Sequence, residues 1–455
     1  MHHHTHHVNA SNLARQEQPV FLANLSLDAM TDASDCSKER AYERAGTGGE
    51  LPYCTDFSMP LVGKWMEDAD PTRRANFQSC PLIASQYACS FIGLRHGFVT
   101  ERMRWAPTHC KLRGFCGATI AHLLRRRRLV VVGDSHARQV YSSLACKLYI
   151  SGLVTKITGP CNSTVVKKHA SPNYPRESLA CLEHGQFTNN RVLCGPQTKC
   201  TGGPMSPREA LQAGPATGTN VFLRDGGILM YREPVGAAVS AGADTRAWAS
   251  GFYQRTFTQL NAELKLTAED VIVVSDIGAA RHASEGRVLA ALADSYVAST
   301  RSLASHVIWV DAMAPHFARS ADGEFANQKG RDSARSCRGA TPPKPHRVDV
   351  DSDTLCRPHT CDAQGASNVP TFGRLNQAGL PILHSFHASR TAHIAHHGRV
   401  FTNYSAWKMP DCHHVCQPSG PDELRVSLLY NMLVSGYVFA ATARRRNHTS
   451  MHARK

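Results

Sequence analysis

From residue 129 onward, short apolar runs alternate with segments whose apolar positions recur every three or four residues. Leu129-Val130-Val131-Val132-Gly133 carries no polar side chain and predicts a strand buried on both faces. Residues 136–149 follow, with Val140, Leu144 and Leu148 at i, i+4 and i+8, the spacing of one helix face. Residues 271–278 and 306–312 repeat the strand pattern, preceded by helical patterns over 252–266 and 286–304, and a further strand is expected within 220–233. Apolar strands alternating with helices imply an α/β fold with a parallel sheet covered on both faces. Near the end of the chain, Pro421 starts a helix expected to reach Ala440. Asp422 and Glu423 lie in its first turn, and Leu424, Leu428 and Met432 form one stripe.

Around this core the pattern weakens. Residues 1–50 are polar and Gly-rich and read as a disordered leader, and 51–118 as a loop-rich cap held by disulfides. The α/β domain spans 119–440, with loop-rich insertions at 150–219 and 318–406, and 441–455 form a basic tail. No internal repeat is evident.

Composition adds a compartment and a charge. Sixteen cysteines scattered along 455 residues, with no CxxC pair, disfavour a structural zinc site and suit an oxidising secretory compartment. Asn-x-Ser/Thr sequons at Asn9, Asn24, Asn162, Asn403 and Asn447 point the same way. The chain lacks an apolar stretch of about 18 residues. A secretory protein needs a signal or membrane anchor, so the expectation is that one is missing from this sequence. The formal net charge of +15 favours anionic partners, and acidic glycans fit better than nucleic acid, for which no zinc-finger or RNA-binding signature appears. The clusters Arg125–Arg128 and Arg444–Arg446 read as solvated surface.

In an α/β sheet, reactive groups collect where a strand hands over to a helix, and Ser135 sits at such a junction. The free amides and dipole of the helix start favour an oxyanion there. A serine hydroxyl needs a base, and His414 can serve, with Asp411 three residues earlier orienting its ring. Asp134 reads as a helix cap and His413 as a solvated neighbour. The histidines at 384–397 (His384, His387, His393, His396, His397) read as a solvated loop, and no metal site is expected.

Several ordered motifs then resemble one family. Cys54, Gly63-Lys64-Trp65, Cys80, Cys89 and Arg104-Trp105-x-Pro107-x-x-Cys110 are similar to the amino-terminal Cys-rich segment of the plant trichome-birefringence-like polysaccharide O-acetyltransferases, in the PC-esterase group of the SGNH/GDSL superfamily. Gly133-Asp134-Ser135-x-x-Arg138, Ser143-Leu144-x-Cys146, Ala314-Pro315-His316-Phe317 and Asp411-Cys412-x-His414-x-Cys416-x-Pro418-x-x-Pro421-Asp422 follow in the family's order. The resemblance covers 54–148 and 407–434 well and 271–317 loosely. It implies a three-layer α/β/α SGNH-like fold with Ser135, Asp411 and His414 as catalytic triad. It also implies acetyl transfer onto cell-wall polysaccharide hydroxyls in the Golgi lumen.

By the same resemblance, Gly278, Asp276 and Arg138 are the oxyanion or substrate-binding candidates. Asp276 stands where the family is expected to carry Asn, and an ionised Asp repels an oxyanion, so the Gly278 amide is the firmer assignment. Val415 replaces the family's Trp. No bound cofactor is expected; the acetyl donor is a co-substrate, acetyl-CoA being one candidate. The alternatives are an acetylesterase using the same triad and a non-catalytic glycan-binding relative.

Overall fold

The computed structural model describes Cys36, 51–67, Cys89, 95–158, 187–188, 191–192, 220–232, 245–275, 286–301, 303–311, Met313, 369–392, 395–396 and 414–452. A hairpin of β1 (Gly63–Glu67) and β2 (Met103–Pro107), with α1 (Arg95–Thr100) between them, precedes α2 (Gly117–Leu123). The α/β core follows: β3 (Arg128–Val132), α3 (Ser135–Ile150), β4 (Val154–Thr158) and the short hairpin of β5 (Phe187–Thr188) and β6 (Arg191–Val192). Next come β7 (Asn220–Leu223), β8 (Ile228–Arg232), α4 (Thr245–Leu264), β9 (Val271–Ser275), α5 (Gly286–Arg301) and β10 (His306–Val310). The chain closes with α6 (Val369–Gln377), β11 (Ile382–Leu383), α7 (Phe386–Ser389), α8 (Gly420–Val434) and α9 (Tyr437–His452).

The main sheet has seven strands in the order β11-β10-β9-β3-β8-β7-β4. The first five run parallel, and β7 and β4 add antiparallel to one edge. Because side chains alternate across a strand, each central strand feeds two cores. Leu129 and Val131 of β3 join Val140 and Leu144 of α3 and Leu424 and Leu428 of α8 on one face. Val130 and Val132 join Phe252 and Tyr253 of α4, Tyr296 of α5 and Trp309 of β10 on the other. Tyr253, Tyr296 and Trp309 interlock edge to face, with ring centroids 4.7–5.6 Å apart. The result is the three-layer α/β/α arrangement of an SGNH-like fold.

Several boundaries differ from the sequence pattern, each for a local reason. The segment 220–233 holds two strands, β7 and β8, because Gly226 takes φ 81° and folds the run into a hairpin. The long carboxy-terminal helix is two, α8 and α9, interrupted at Gly436 with φ 75°. Within the stretches read as insertions, β4 completes one sheet edge and β11 the other. A two-residue strand such as β11 is too short to print a period of its own. Among the described residues, no single helix is long and apolar enough to cross a membrane.

The amino-terminal segment is clamped to this core. Trp65 and Trp105 oppose each other across β1 and β2, centroids 5.2 Å apart, and the Trp65 indole donates to the Ala388 carbonyl at 2.9 Å. Disulfides join Cys54 to Cys110 and Cys36 to Cys116, and Cys36, which falls in the presumed leader, is buried. A third disulfide joins Cys89 to Cys416 across 327 residues. Cys146 is also disulfide-bonded.

Candidate active site

Ser135 is the first residue of α3, directly beyond the carboxyl end of central strand β3. The turn between them is tightly seated. A Cβ on Gly133 would lie 2.5 Å from the Ala137 Cβ and 2.9 Å from that of Ser275, so only glycine lets the turn approach α3 and β9 this closely. Asp134 caps the helix, its carboxylate accepting from the His136 amide at 3.0 Å, as the residue pattern predicts. The Tyr231 hydroxyl on neighbouring strand β8 reaches the carbonyls of Gly133 and Asp134 at 3.0 and 3.2 Å. The turn that carries Ser135 is therefore held from both sides.

His414 arrives from the far end of the chain. Its Nε2 stands 2.6 Å from the Ser135 Oγ, and both residues are half-buried, so the pair is not sealed in the core. The His136 ring packs face to face with the His414 ring, centroids 5.3 Å apart and planes 23° apart. Asp411, Asp276, Gly278 and Ala314 to Phe317 lie outside the described residues. Arg138 lies on α3 and is buried, at 6% exposure, one helical turn from Ser135.

The strand-like segment carrying His414 is tied down at successive residues. The His396 ring Nδ1 meets the His414 carbonyl at 3.0 Å, and the Cys416 amide donates to the Ala395 carbonyl at 2.7 Å. The Gln139 side-chain amide donates to the Val415 carbonyl at 2.7 Å. In return, the Gln417 amide donates to the Gln139 carbonyl at 2.8 Å and to the Ser142 and Ser143 hydroxyls at 3.0 Å each. Gln139 and Gln417 do not figure in the sequence reading, and His396 figures there only within a loop expected to be solvated. Gln139 lies at i+4 from Ser135, the one signal that places it on the Ser135 face of α3.

A buried charged layer lies behind the pair. Arg425 of α8 is wholly buried, its Nη1 3.5 Å from the His136 carbonyl and 3.3 Å from the Met313 sulfur. Burial lowers its pKa, while Asp422, Asp311 and Asp134 oppose that shift. Burial raises Asp422 to about 7, against hydrogen bonds from Ser143 and Gln417 and with help from Glu423. Burial likewise raises Asp311 to about 6, although the Ser385 hydroxyl and amide and the Phe386 amide all donate to it. Glu423 is neutralised by Lys147, Nζ to Oε2 2.6 Å.

The expectation of a solvated histidine loop fails at two positions. His396 is 1% exposed, and His384 is packed against Phe372 with burial holding its pKa down at about 4. The His384 side chain is covered directly after β11, and His396 is held inside by its bridge to Val415. The basic cluster at 125–128 is not all solvated surface either, since Arg128 forms a two-pronged pair with buried Asp270. Among the described residues, no group of three or more His, Cys, Asp or Glu side chains converges to hold a metal ion.

Geometry of this kind can be set beside known proteins. No protein-family model matches the chain. It is 36% identical over 89 residues to the protein trichome birefringence-like 40 of Arabidopsis thaliana, a match covering 20% of this chain and 24% of that protein. It is 36% identical over 99 residues to the probable xylan O-acetyltransferase 9 of Oryza sativa subsp. japonica, covering 22% and 21% respectively. The protein trichome birefringence of Arabidopsis thaliana is 38% identical over 87 residues, covering 19% and 14%. The chain thus spans about a quarter or less of the length of these relatives.

Proposed function

We propose that this chain, a relative of the trichome birefringence-like proteins, is an O-acetyltransferase moving acetyl groups onto polysaccharide hydroxyls. The observation that carries the reading is the 2.6 Å contact between His414 Nε2 and Ser135 Oγ at the half-buried start of a helix. Its chemistry is a double displacement. His414 takes the Ser135 proton as Oγ attacks the acetyl carbonyl of a donor such as acetyl-CoA. The tetrahedral oxyanion develops where the α3 amides point, with the Gly278 amide as second donor. Its collapse forms the acetyl-serine ester and breaks the bond to the donor group, which leaves with the proton held by His414. A sugar hydroxyl then gives its proton to His414 and attacks the ester, regenerating Ser135.

Asp411 is assigned to hold the His414 imidazole in the right tautomer. The acceptor is a cell-wall polysaccharide, xylan being the one named for several relatives. The net charge of +15 suits an acidic chain. The disulfides among the described residues fit a secretory compartment, with the Golgi lumen as the proposed site. The test is intact mass after incubation with acetyl donor: the wild type gains one acetyl group and Ser135→Ala gains none. An acetyl adduct of equal yield in Ser135→Ala would remove Ser135 from the chemistry.

A further inference from the structure

We infer that Gln139 is a positioning residue for the base: by holding the Val415 carbonyl, it keeps His414 in reach of Ser135. This rests on the Ser135–His414 reading of the site. Gln139 and Ser135 are one turn apart on the same face of α3. Its Nε2 donates at 2.7 Å to the carbonyl of the residue that follows His414, so one rigid helix carries both the nucleophile and the strap that sets the base. The Gln139 carbonyl accepts from Gln417 at 2.8 Å, so the strap closes from both sides of the 415–417 segment.

The side chain is poorly explained by stability alone. Gln139 is fully buried, and among the described residues its Oε1 has no hydrogen-bond partner. An unpartnered buried acceptor is unfavourable, and an apolar side chain of similar length would remove it. Exchanging the amide's oxygen and nitrogen would set two oxygens face to face at Val415, so the side chain has one workable orientation. What the amide supplies is a fixed distance between α3 and the His414 backbone. A base displaced by about 1 Å loses on the order of 100-fold in rate.

The test uses the whole chain with p-nitrophenyl acetate as acyl donor, following the acylation rate constant and KM separately. Gln139→Leu and Gln139→Met are each expected to lower acylation by about 10- to 100-fold with KM unchanged. In a His414→Ala background the same substitutions are expected to change nothing, since a residue acting through the base has nothing left to position. An undiminished rate in Gln139→Leu, or an equal further loss in the His414→Ala background, would overturn the inference. Failure of both variants to fold would assign Gln139 to the fold and overturn it too. If instead Ser135→Ala still acylates, the reading of the site itself fails, a result separate from any behaviour of Gln139.

Discussion

Ser135 and His414 are separated by 279 residues along the chain, yet the serine hydroxyl and the imidazole Nε2 lie 2.6 Å apart. In the mechanism proposed above, that contact is the one through which the imidazole withdraws the hydroxyl proton as the bond to carbon forms. His414→Ala is therefore expected to slow formation of the acetyl-serine by about 100- to 10,000-fold. Stopped-flow acylation with an aryl acetate measures it, and a rate within twofold of the wild type would exclude His414 as the base.

The buried carboxyl of Asp422 ties stability to pH. Its folded pKa of about 7 lies above its ordinary 3.8, chiefly through burial. A raised carboxyl pKa means that the folded state binds the proton more tightly than the unfolded chain. Its contribution is complete below about pH 4 and is lost as the pH rises to about 7. Asp311, raised to about 6, acts with the same sign over a narrower window. Asp422→Asn should therefore gain on the wild type in unfolding free energy as the pH is raised from 4 to 7. Denaturant melts across that range test this; a constant difference would contradict it.

Cys416 lies two residues beyond His414, and its disulfide to Cys89 anchors the His414 segment to the amino-terminal segment. Replacing both cysteines by alanine should lower stability by about 2–5 kcal/mol, as for other native disulfides. Acylation should fall at temperatures where circular dichroism still reports a folded protein, because the link restrains the His414 backbone directly. Equal loss of activity and fold along the melting curve would argue against that restraint.

Gly420 and Gly373 make a matched pair. A Cβ on Gly420 would lie 2.5 Å from the Met103 Cβ and 2.9 Å from both the Met103 carbonyl oxygen and the Trp65 ring. Gly420→Ala should thus push the β1–β2 hairpin off α8 and destabilise the protein by about 1–3 kcal/mol. Gly373, inside α6, has no atom of the described residues within 4 Å of the same position. Gly373→Ala should leave stability unchanged or raise it by up to about 1 kcal/mol. Differential scanning calorimetry of the two variants should move the midpoint in opposite directions, or only downward for Gly420→Ala.

Much of the fold was legible in advance. Strands β3, β9 and β10 announce themselves as runs of Val, Ile and Leu, and α3 follows its apolar spacing to within a residue at each end. Asp134 was legible as a cap because its bond to the His136 amide is two residues long. The edge strands β4 and β11 were not, since a strand at an edge is defined by its neighbour more than by its own residues. His384 and His396 were misjudged for the same reason: polarity in the sequence says little about burial when a distant strand recruits the segment.

By itself the amino-acid sequence determined what is local: which runs are apolar on both faces, where a helix begins, and which serine stands at its first turn. These depend on contacts within about four residues, and the side chains themselves decide them. The motifs nominated His414 among 25 histidines, but only the tertiary structure brought it against that serine and decided which glutamine holds the histidine's backbone and which cysteine locks the loop. Those choices join residues about 275 to 327 positions apart, and only the closing of the sheet and the docking of α8 on α3 bring them within a hydrogen bond.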